Sequence, residues 1–231
     1  MVLFIPGFMQ RGDAWRPVAE LLSERYPSAL LDHRKHTLEG RLAEISAAAG
    51  DGGAVAVGYS LGGRLALRAV LREPDRYAGL VMVGATAGLD EPVLRSHRAE
   101  ADDRLAAWME AAPIEEIVSI WERQPLFFDQ SERLIEEQRP GRLAQDPAGL
   151  AMLLRTAGQG VLEPVWHELL TLDLPVLAIA GARDEGYVAA AERIADVAPH
   201  GHAAIVEDAG HAAHLQRPER VAELIEEFLN R

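Results

Sequence analysis

Three side chains that lie far apart in the chain have the types and positions of a nucleophilic triad. Ser60 is at the centre of Gly58–Gly62, a G-x-S-x-G pattern between an apolar run and a helical pattern. In that context the pattern predicts a nucleophile elbow, a strand-to-helix turn that exposes the serine hydroxyl. Because a serine hydroxyl is a weak nucleophile, it needs a base, and the base must be oriented by an acid.

Candidates for the base and the acid each follow a predicted strand. His211 comes after Ala203–Val206, and Asp184 comes after Val176–Ala180. Because the carboxyl ends of parallel strands meet at one edge of a sheet, we expect both side chains to converge there with Ser60. Taken singly, Asp184 could be a helix N-cap and His211 a loop residue. Their joint spacing favours a triad.

The other histidines are weaker candidates for the base. His200 and His202 precede the last predicted strand, so they belong to the opposite edge of the sheet. His214 lies three residues beyond His211 and is either a second pocket residue or a surface group. Because no third ligand is spaced near that pair and the chain has no cysteine, we expect no metal site.

Two backbone N–H groups are candidates for an oxyanion hole, which needs paired donors beside the nucleophile. The N–H of Leu61 directly follows Ser60, and the N–H of Phe8 lies in the loop after the first predicted strand. We therefore expect Phe8 and Leu61 to face the reacting group together.

Short apolar strands alternate with helical patterns along most of the chain. The predicted strands are Val2–Ile5, Ser28–Asp32, Val55–Tyr59, Leu80–Gly84, Val176–Ala180 and Ala203–Val206. The predicted helices outside the central segment are Trp15–Arg25, Leu38–Ala49, Arg64–Leu71 and Pro218–Leu229. This alternation is typical of βαβ units, so we expect an α/β fold with a mostly parallel sheet of about six strands flanked by helices.

The alternation fails between the fourth and fifth predicted strands. This segment shows only helical patterns, at Pro92–Met109, Ile114–Arg123, Ser131–Gln138 and Pro147–Thr156. Because long insertions are usually functional, we interpret the segment as a helical cap over the carboxyl edge of the sheet. The predicted domains are a core of residues 1–87 and 173–231 and a cap of residues 88–172.

Composition excludes several classes of partner. The 231 residues carry a formal net charge of −13, which argues against a nucleic acid or an anionic membrane as the partner. An anionic small molecule would need arginines placed locally. No stretch approaches the roughly 20 apolar residues of a membrane span, and the N-terminus lacks the pattern of a secretion signal. We expect a cytoplasmic monomer or homodimer that binds a small molecule.

The triad residues resemble those of the α/β-hydrolase superfamily, whose members have the chain order Ser…Asp…His. Four strings resemble a narrower family, the 2-succinyl-6-hydroxy-2,4-cyclohexadiene-1-carboxylate synthases of menaquinone biosynthesis. They are the elbow Gly58–Ala66, Arg95-x-x-Arg98-x-x-x-Asp102, Trp121-x-x-Gln124-Pro125-x-Phe127 and Gly210-His211-x-x-His214. The two middle strings lie in the predicted cap and are the ones that discriminate among hydrolases.

This narrower resemblance implies a lyase that eliminates pyruvate from a succinyl-enolpyruvyl-cyclohexene dicarboxylate and needs no cofactor. Ser60, activated by His211, would abstract the proton. The residues at matching positions would bind the substrate, and they are Tyr59, Arg64, Arg98, Trp121 and His214. Arginines suit a substrate with several carboxylates because a guanidinium donates paired hydrogen bonds.

The sequence leaves alternatives open. The same triad could serve a carboxylesterase, a thioesterase or a C–C bond hydrolase that forms an acyl-enzyme. The fold could also be a non-catalytic binding module, which the complete triad disfavours. Arg64 and Arg98 could pair with carboxylates at the surface, and Tyr59 and Trp121 could be ordinary packing residues.

Overall fold

Six strands form one sheet in the computed structural model, which describes residues 1–231. The strands are β1 Val2–Ile5, β2 Ser28–Leu30, β3 Ala54–Tyr59, β4 Tyr77–Val83, β5 Val176–Gly181 and β6 Gly201–Val206. Their order is β2-β1-β3-β4-β5-β6, and every neighbouring pair is parallel. The predicted six-stranded parallel sheet is confirmed. The strand order reverses between β1 and β3, which is where open parallel sheets form a ligand crevice.

Apolar side chains cover both faces of this sheet. Leu3 and Ile5 of β1 pack on one face, whereas Val2 and Phe4 pack on the other, and all four are buried. A strand that is buried on both faces needs a continuous apolar sequence, which explains the AVAVGY of β3.

Eleven α-helices accompany the strands. They are α1 Arg16–Leu22, α2 Leu38–Ala49, α3 Leu61–Arg72, α4 Pro92–Ala111, α5 Ile114–Trp121, α6 Glu132–Leu143, α7 Pro147–Ala157, α8 Trp166–Leu169, α9 Glu185–Val197, α10 Ala213–Gln216 and α11 Pro218–Leu229. Helices α2, α3 and α9 cover one face of the sheet, and α1 and α11 cover the other. None of the helices has both the length and the apolar character needed to cross a membrane.

Helices α4 to α8 lie between β4 and β5, as predicted for a helical cap. The cap has a small apolar core of its own, in which Met109 of α4 packs with Ile117 of α5 and Leu150 of α7. Met9, from the loop after β1, belongs to the same cluster. This contact holds the cap above the carboxyl edge of the sheet.

Several helices differ from the sequence-based prediction. Helix α3 begins at Leu61 rather than at Arg64, because its first turn contains glycines that a helical pattern does not recognise. The sequence patterns do not predict α9 (Glu185–Val197) or the short helices α8 (Trp166–Leu169) and α10 (Ala213–Gln216). The start of α3 and the start of α9 both carry residues of the candidate site.

Candidate active site

Ser60 occupies a strained turn between β3 and α3. Its φ is +50°, a value that non-glycine residues seldom adopt. The turn is tight because glycine stands where the backbones meet: a Cβ at Gly58 would lie 2.4 Å from the Gly62 carbonyl oxygen. A Cβ at Gly62 would lie 2.3 Å from the Ile5 carbonyl oxygen. The surrounding strands therefore impose the strain on Ser60, as is common at functional sites.

His211 joins Ser60 to Asp184. His211 Nε2 lies 3.1 Å from Ser60 Oγ, and His211 Nδ1 lies 2.7 Å from Asp184 Oδ2. Because an ionised carboxylate only accepts, Nδ1 carries the proton and Nε2 is left to accept the serine proton. The structure thus brings the three residues predicted for the triad within hydrogen-bonding distance in the order that general-base activation needs.

The two loops that carry the acid and the base are tied to each other. Asp184 lies between β5 and α9, and His211 follows β6. The N–H of Arg183 donates to the Ala209 carbonyl at 2.9 Å, and the N–H of Gly210 donates to the Gln216 side chain at 2.8 Å. The first bond joins the two loops, and the second fixes the His211 loop against α10.

Aromatic rings enclose the imidazole. The ring of Tyr187 lies 4.5 Å from that of His211, and the ring of Tyr59 lies 5.2 Å from it, measured between centroids. The His211 side chain is 2% exposed. Burial raises the pKa of both tyrosines, so their hydroxyls stay neutral. In such a medium the charge that develops on the imidazole interacts strongly with Asp184.

Phe8 and Leu61 lie in the wall of the same cavity as Ser60. The N–H of Phe8 donates to no group in the protein. Leu61 is the first residue of α3, where backbone N–H groups have no partner inside the helix. Both amides therefore have the hydrogen-bonding capacity expected of oxyanion donors.

A cavity of about 100 Å³ lies between the sheet edge and the cap. The core contributes Phe8, Tyr59, Ser60, Leu61, Arg64, Tyr187 and His211 to its wall. The cap contributes Arg98, Asp102, Leu105, Trp121, Phe127 and Gln159. The arrangement encloses the serine between an apolar surface and a small number of charged groups, which is the usual make-up of a small-molecule site.

Arg64 is buried in this cavity wall, and no nitrogen of its side chain donates to a protein group. Burial lowers the pKa of the guanidinium, and the neighbouring charge of Arg98 lowers it further. Desolvating a cation without a partner costs free energy. The side-chain N–H groups of Arg64 therefore have no hydrogen-bond acceptor in the protein, unlike those of an arginine in a surface ion pair.

Arg98 forms an ion pair and also lines the cavity. Its Nε donates to Asp102 at 2.8 Å, and its Nη1 donates to Gln159 at 3.2 Å. The side chain is 46% exposed, whereas that of Asp102 is 4% exposed. The ion pair holds Arg98 at the cavity, but it does not use all the donors of the guanidinium.

Trp121 and Tyr59 also reach the cavity wall, whereas His214 does not. The ring of Trp121 lies 5.2 Å from that of Phe8, which joins the cap to the loop after β1. His214 is fully buried between Trp15 and Tyr59, with ring centroids at 4.4 and 4.2 Å. Burial lowers the pKa of His214 to about 3, with His211 adding to the effect, so the ring is neutral.

Sequence reasoning missed Tyr187 and Gln159. Tyr187 reaches the imidazole because it lies in the first turn of α9, three residues after Asp184. Gln159 lies in a glycine-flanked turn after α7, which resembles an ordinary loop.

Arg95, from the Arg95-x-x-Arg98-x-x-x-Asp102 string of the cap, pairs with Glu163 at 3.1 Å and does not line the cavity. No group of three or more His, Asp or Glu side chains is placed to hold a metal ion.

Comparison with known proteins identifies relatives along the whole chain. A protein of Bacillus subtilis (strain 168), provisionally named 2-succinyl-6-hydroxy-2,4-cyclohexadiene-1-carboxylate synthase, is 35% identical over 177 residues. The match covers 75% of this chain and 64% of that protein, just under two thirds of its length. A protein of the same name from Enterobacter sp. (strain 638) is 27% identical over 99% of this chain and 91% of its own.

Solved structures share the architecture. MenH from S. aureus superposes with a TM-score of 0.93 at 24% identity, covering 99% of this chain and 92% of that chain. A thermophilic esterase from Thermogutta terrifontis superposes with a TM-score of 0.78 at 24% identity, covering 99% and 89%. The profile of the alpha/beta hydrolase family matches residues 2–224. With the sheet order and the elbow described above, this match shows that the chain belongs to the alpha/beta hydrolase family.

Proposed function

We propose that this protein is a carbon–oxygen lyase of menaquinone biosynthesis that eliminates pyruvate from a succinyl-enolpyruvyl-cyclohexene dicarboxylate. The observation that carries the proposal is one cavity that holds both the Ser60–His211 pair and the guanidinium groups of Arg64 and Arg98. A neutral ester has no anionic group that could pair with those guanidinium groups, whereas a substrate with several carboxylates can pair with both. The names of the two curated relatives support the same activity.

Proton abstraction is the first step. The acidic ring C–H is the one beside the succinyl carbonyl, because its anion is delocalised onto the carbonyl oxygen. Ser60 Oγ takes that proton while its own proton passes to His211 Nε2, 3.1 Å away. The imidazolium that forms is stabilised by Asp184, whose carboxylate lies 2.7 Å from Nδ1.

The oxyanion and the leaving group complete the balance. The N–H groups of Phe8 and Leu61 would donate to the carbonyl oxygen as it gains negative charge. Electrons then return to the ring, the C–O bond to the enolpyruvyl group breaks, and the electron pair leaves with the oxygen. The departing enolate takes the proton from His211 and becomes pyruvate, so that Ser60 and His211 end in their starting states.

Admission of the substrate requires movement. Ligand cavities in proteins usually measure about 300–1,000 Å³, whereas this one measures about 100 Å³. We therefore expect the cap or its side chains to shift outward when the ring enters. Closure behind it would exclude water, which favours elimination over hydrolysis.

A cytoplasmic location and a monomeric or dimeric state stay predictions.

The test is to supply the dicarboxylate to the purified protein and follow pyruvate with lactate dehydrogenase and NADH. We expect pyruvate release without covalent labelling of Ser60 by the substrate. The alternative activities (carboxylesterase, thioesterase or C–C bond hydrolase) predict an acyl-enzyme and a burst with simple esters. Rapid ester turnover with no pyruvate would reject the lyase and select the hydrolase.

A further inference from the structure

Gln159 presents an amide group to the cavity from the turn after α7. The residue is 9% exposed and lines the cavity wall. Arg98 Nη1 donates to Gln159 Oε1 at 3.2 Å. Because a guanidinium only donates, the amide oxygen must face Arg98, and the NH₂ group occupies the other corner of the amide.

The NH₂ group is not used inside the protein. No protein acceptor lies within hydrogen-bonding distance of Gln159 Nε2, and the atom is not fully buried. It is therefore accessible from the space that Gln159 lines. An amide whose oxygen is fixed and whose nitrogen is accessible is a pre-oriented donor.

The backbone around Gln159 is held tightly against α4. A Cβ at Gly160 would lie 2.1 Å from the Ala99 nitrogen, and a Cβ at Gly158 would lie 2.6 Å from Asp102 Oδ2. Glycine on both sides of Gln159 lets the turn approach the helix to this distance. The side chain is consequently fixed beside the Arg98–Asp102 pair.

Charge at this end of the cavity favours an anion. Asp102 binds Arg98 Nε at 2.8 Å and offsets part of its charge. Arg64, on the core side, has no partner for its guanidinium. The accessible polar atoms contributed by Gln159, Arg98 and Arg64 are all donors, which is the arrangement that a carboxylate requires.

We propose that Gln159 is a specificity-determining residue whose amide N–H groups bind a carboxylate of the substrate beside Arg98. The proposal rests on the lyase function for the identity of the substrate, but it concerns binding alone. The Gln159 amide adds a neutral donor to the two arginines, so it can orient the carboxylate without another buried cation.

Gln159→Glu tests the donor, because it removes the N–H groups and adds a negative charge where a substrate carboxylate would bind. The variant keeps an oxygen facing Arg98 and changes the NH₂ group into an oxygen, with almost no change of shape. If Gln159 only held Arg98 in place, the carboxylate would do so equally well. If it binds substrate, we expect KM to rise by about 10- to 100-fold with little change in kcat. Gln145→Glu, on the cap and outside the cavity, makes the same charge change as a control.

Direct binding separates this inference from the lyase proposal. Cyclohexane-1,2-dicarboxylate and its dimethyl ester would be titrated calorimetrically into the wild type, Gln159→Glu and Gln145→Glu at one pH. We expect the dicarboxylate to bind wild type and Gln145→Glu alike, to bind Gln159→Glu at least tenfold more weakly, and the ester to show no such difference. Equal affinity of all three proteins for the dicarboxylate, or no binding by the wild type, would overturn the inference. Dicarboxylate binding that depends on Gln159 without pyruvate release would reject the lyase proposal alone.

Discussion

Replacement of Arg64 by methionine should stabilise the protein while it damages substrate binding. The guanidinium is buried, its side-chain nitrogens donate to no protein group, and burial lowers its pKa. Methionine has a similar length and no charge, so Arg64→Met removes a desolvated cation without leaving a large cavity. A site that holds unpaired charge for its ligand commonly lowers the stability of the free protein.

The expected magnitudes follow from the burial. Removing an unpaired buried charge is worth about 1–3 kcal/mol after relaxation. For a chain of 231 residues this corresponds to a rise in Tm of about 2–12 °C. Loss of a hydrogen bond between charged groups costs about 1.5–3 kcal/mol, so we expect KM to rise by about 10- to 150-fold.

The assay measures thermal unfolding and pyruvate release for the wild type, Arg64→Met and Arg133→Met. Arg133 is a surface residue that is 87% exposed and pairs with Glu137, so its variant should change neither Tm nor KM appreciably. A Tm below that of the wild type, with KM unchanged, would refute the reasoning, because it would show that Arg64 is a structural cation.

Three further variants test other parts of the account. Asp184→Asn should lower kcat by about 10³–10⁴-fold. The control Asp173→Asn breaks the exposed pair with His200 and should leave kcat unchanged. Equal losses of kcat in the two variants would contradict the triad. Gly62→Ala places a Cβ 2.3 Å from a backbone oxygen and should destabilise the protein by more than about 3 kcal/mol. Gly186→Ala, whose Cβ has nothing within 4 Å, should be neutral or stabilising. Similar urea midpoints for the two variants would contradict the close approach at the elbow. Burial lowers the pKa of His214 from 6.5 to about 3, so the unfolded state binds the proton first and stability is lost as the pH falls below 6.5. By pH 5 the free energy of unfolding has fallen by about 2 kcal/mol because of this residue. Between pH 7 and pH 5, the free energy of unfolding measured with urea should therefore fall less for His214→Phe than for the wild type. An equal fall in both proteins would show that His214 is not the cause.

The fold could be predicted because its evidence is local. Each strand is a short apolar run, and the elbow combines a strand, a G-x-S-x-G pattern and a helix within residues 54–72. Asp184 and His211 could be located because both follow recognisable strands. The topology of parallel strands then places them at one edge, where the structure brings them within hydrogen-bonding distance of each other and of Ser60.

The remaining parts of the site depend on tertiary packing. Tyr187 could not be assigned because the sequence patterns do not predict α9, the helix that carries it. Gln159 reaches the cavity only because Gly158 and Gly160 press its turn against α4. His214 was expected to contact substrate from its spacing to His211, but the ring of Tyr59 lies against it and it does not line the cavity. Spacing along the chain cannot show which side of a neighbouring ring a residue will occupy.

The rate of pyruvate release by the wild type and by Ser60→Ala tests the central claim most directly, with Ser23→Ala, an exposed serine, as the matched control. If Ser60 removes the ring proton with the help of His211, the wild type and Ser23→Ala release pyruvate at equal rates. Ser60→Ala then falls by at least about 10³-fold while it keeps the melting temperature of the folded protein. Pyruvate release by Ser60→Ala at the wild-type rate would contradict the account.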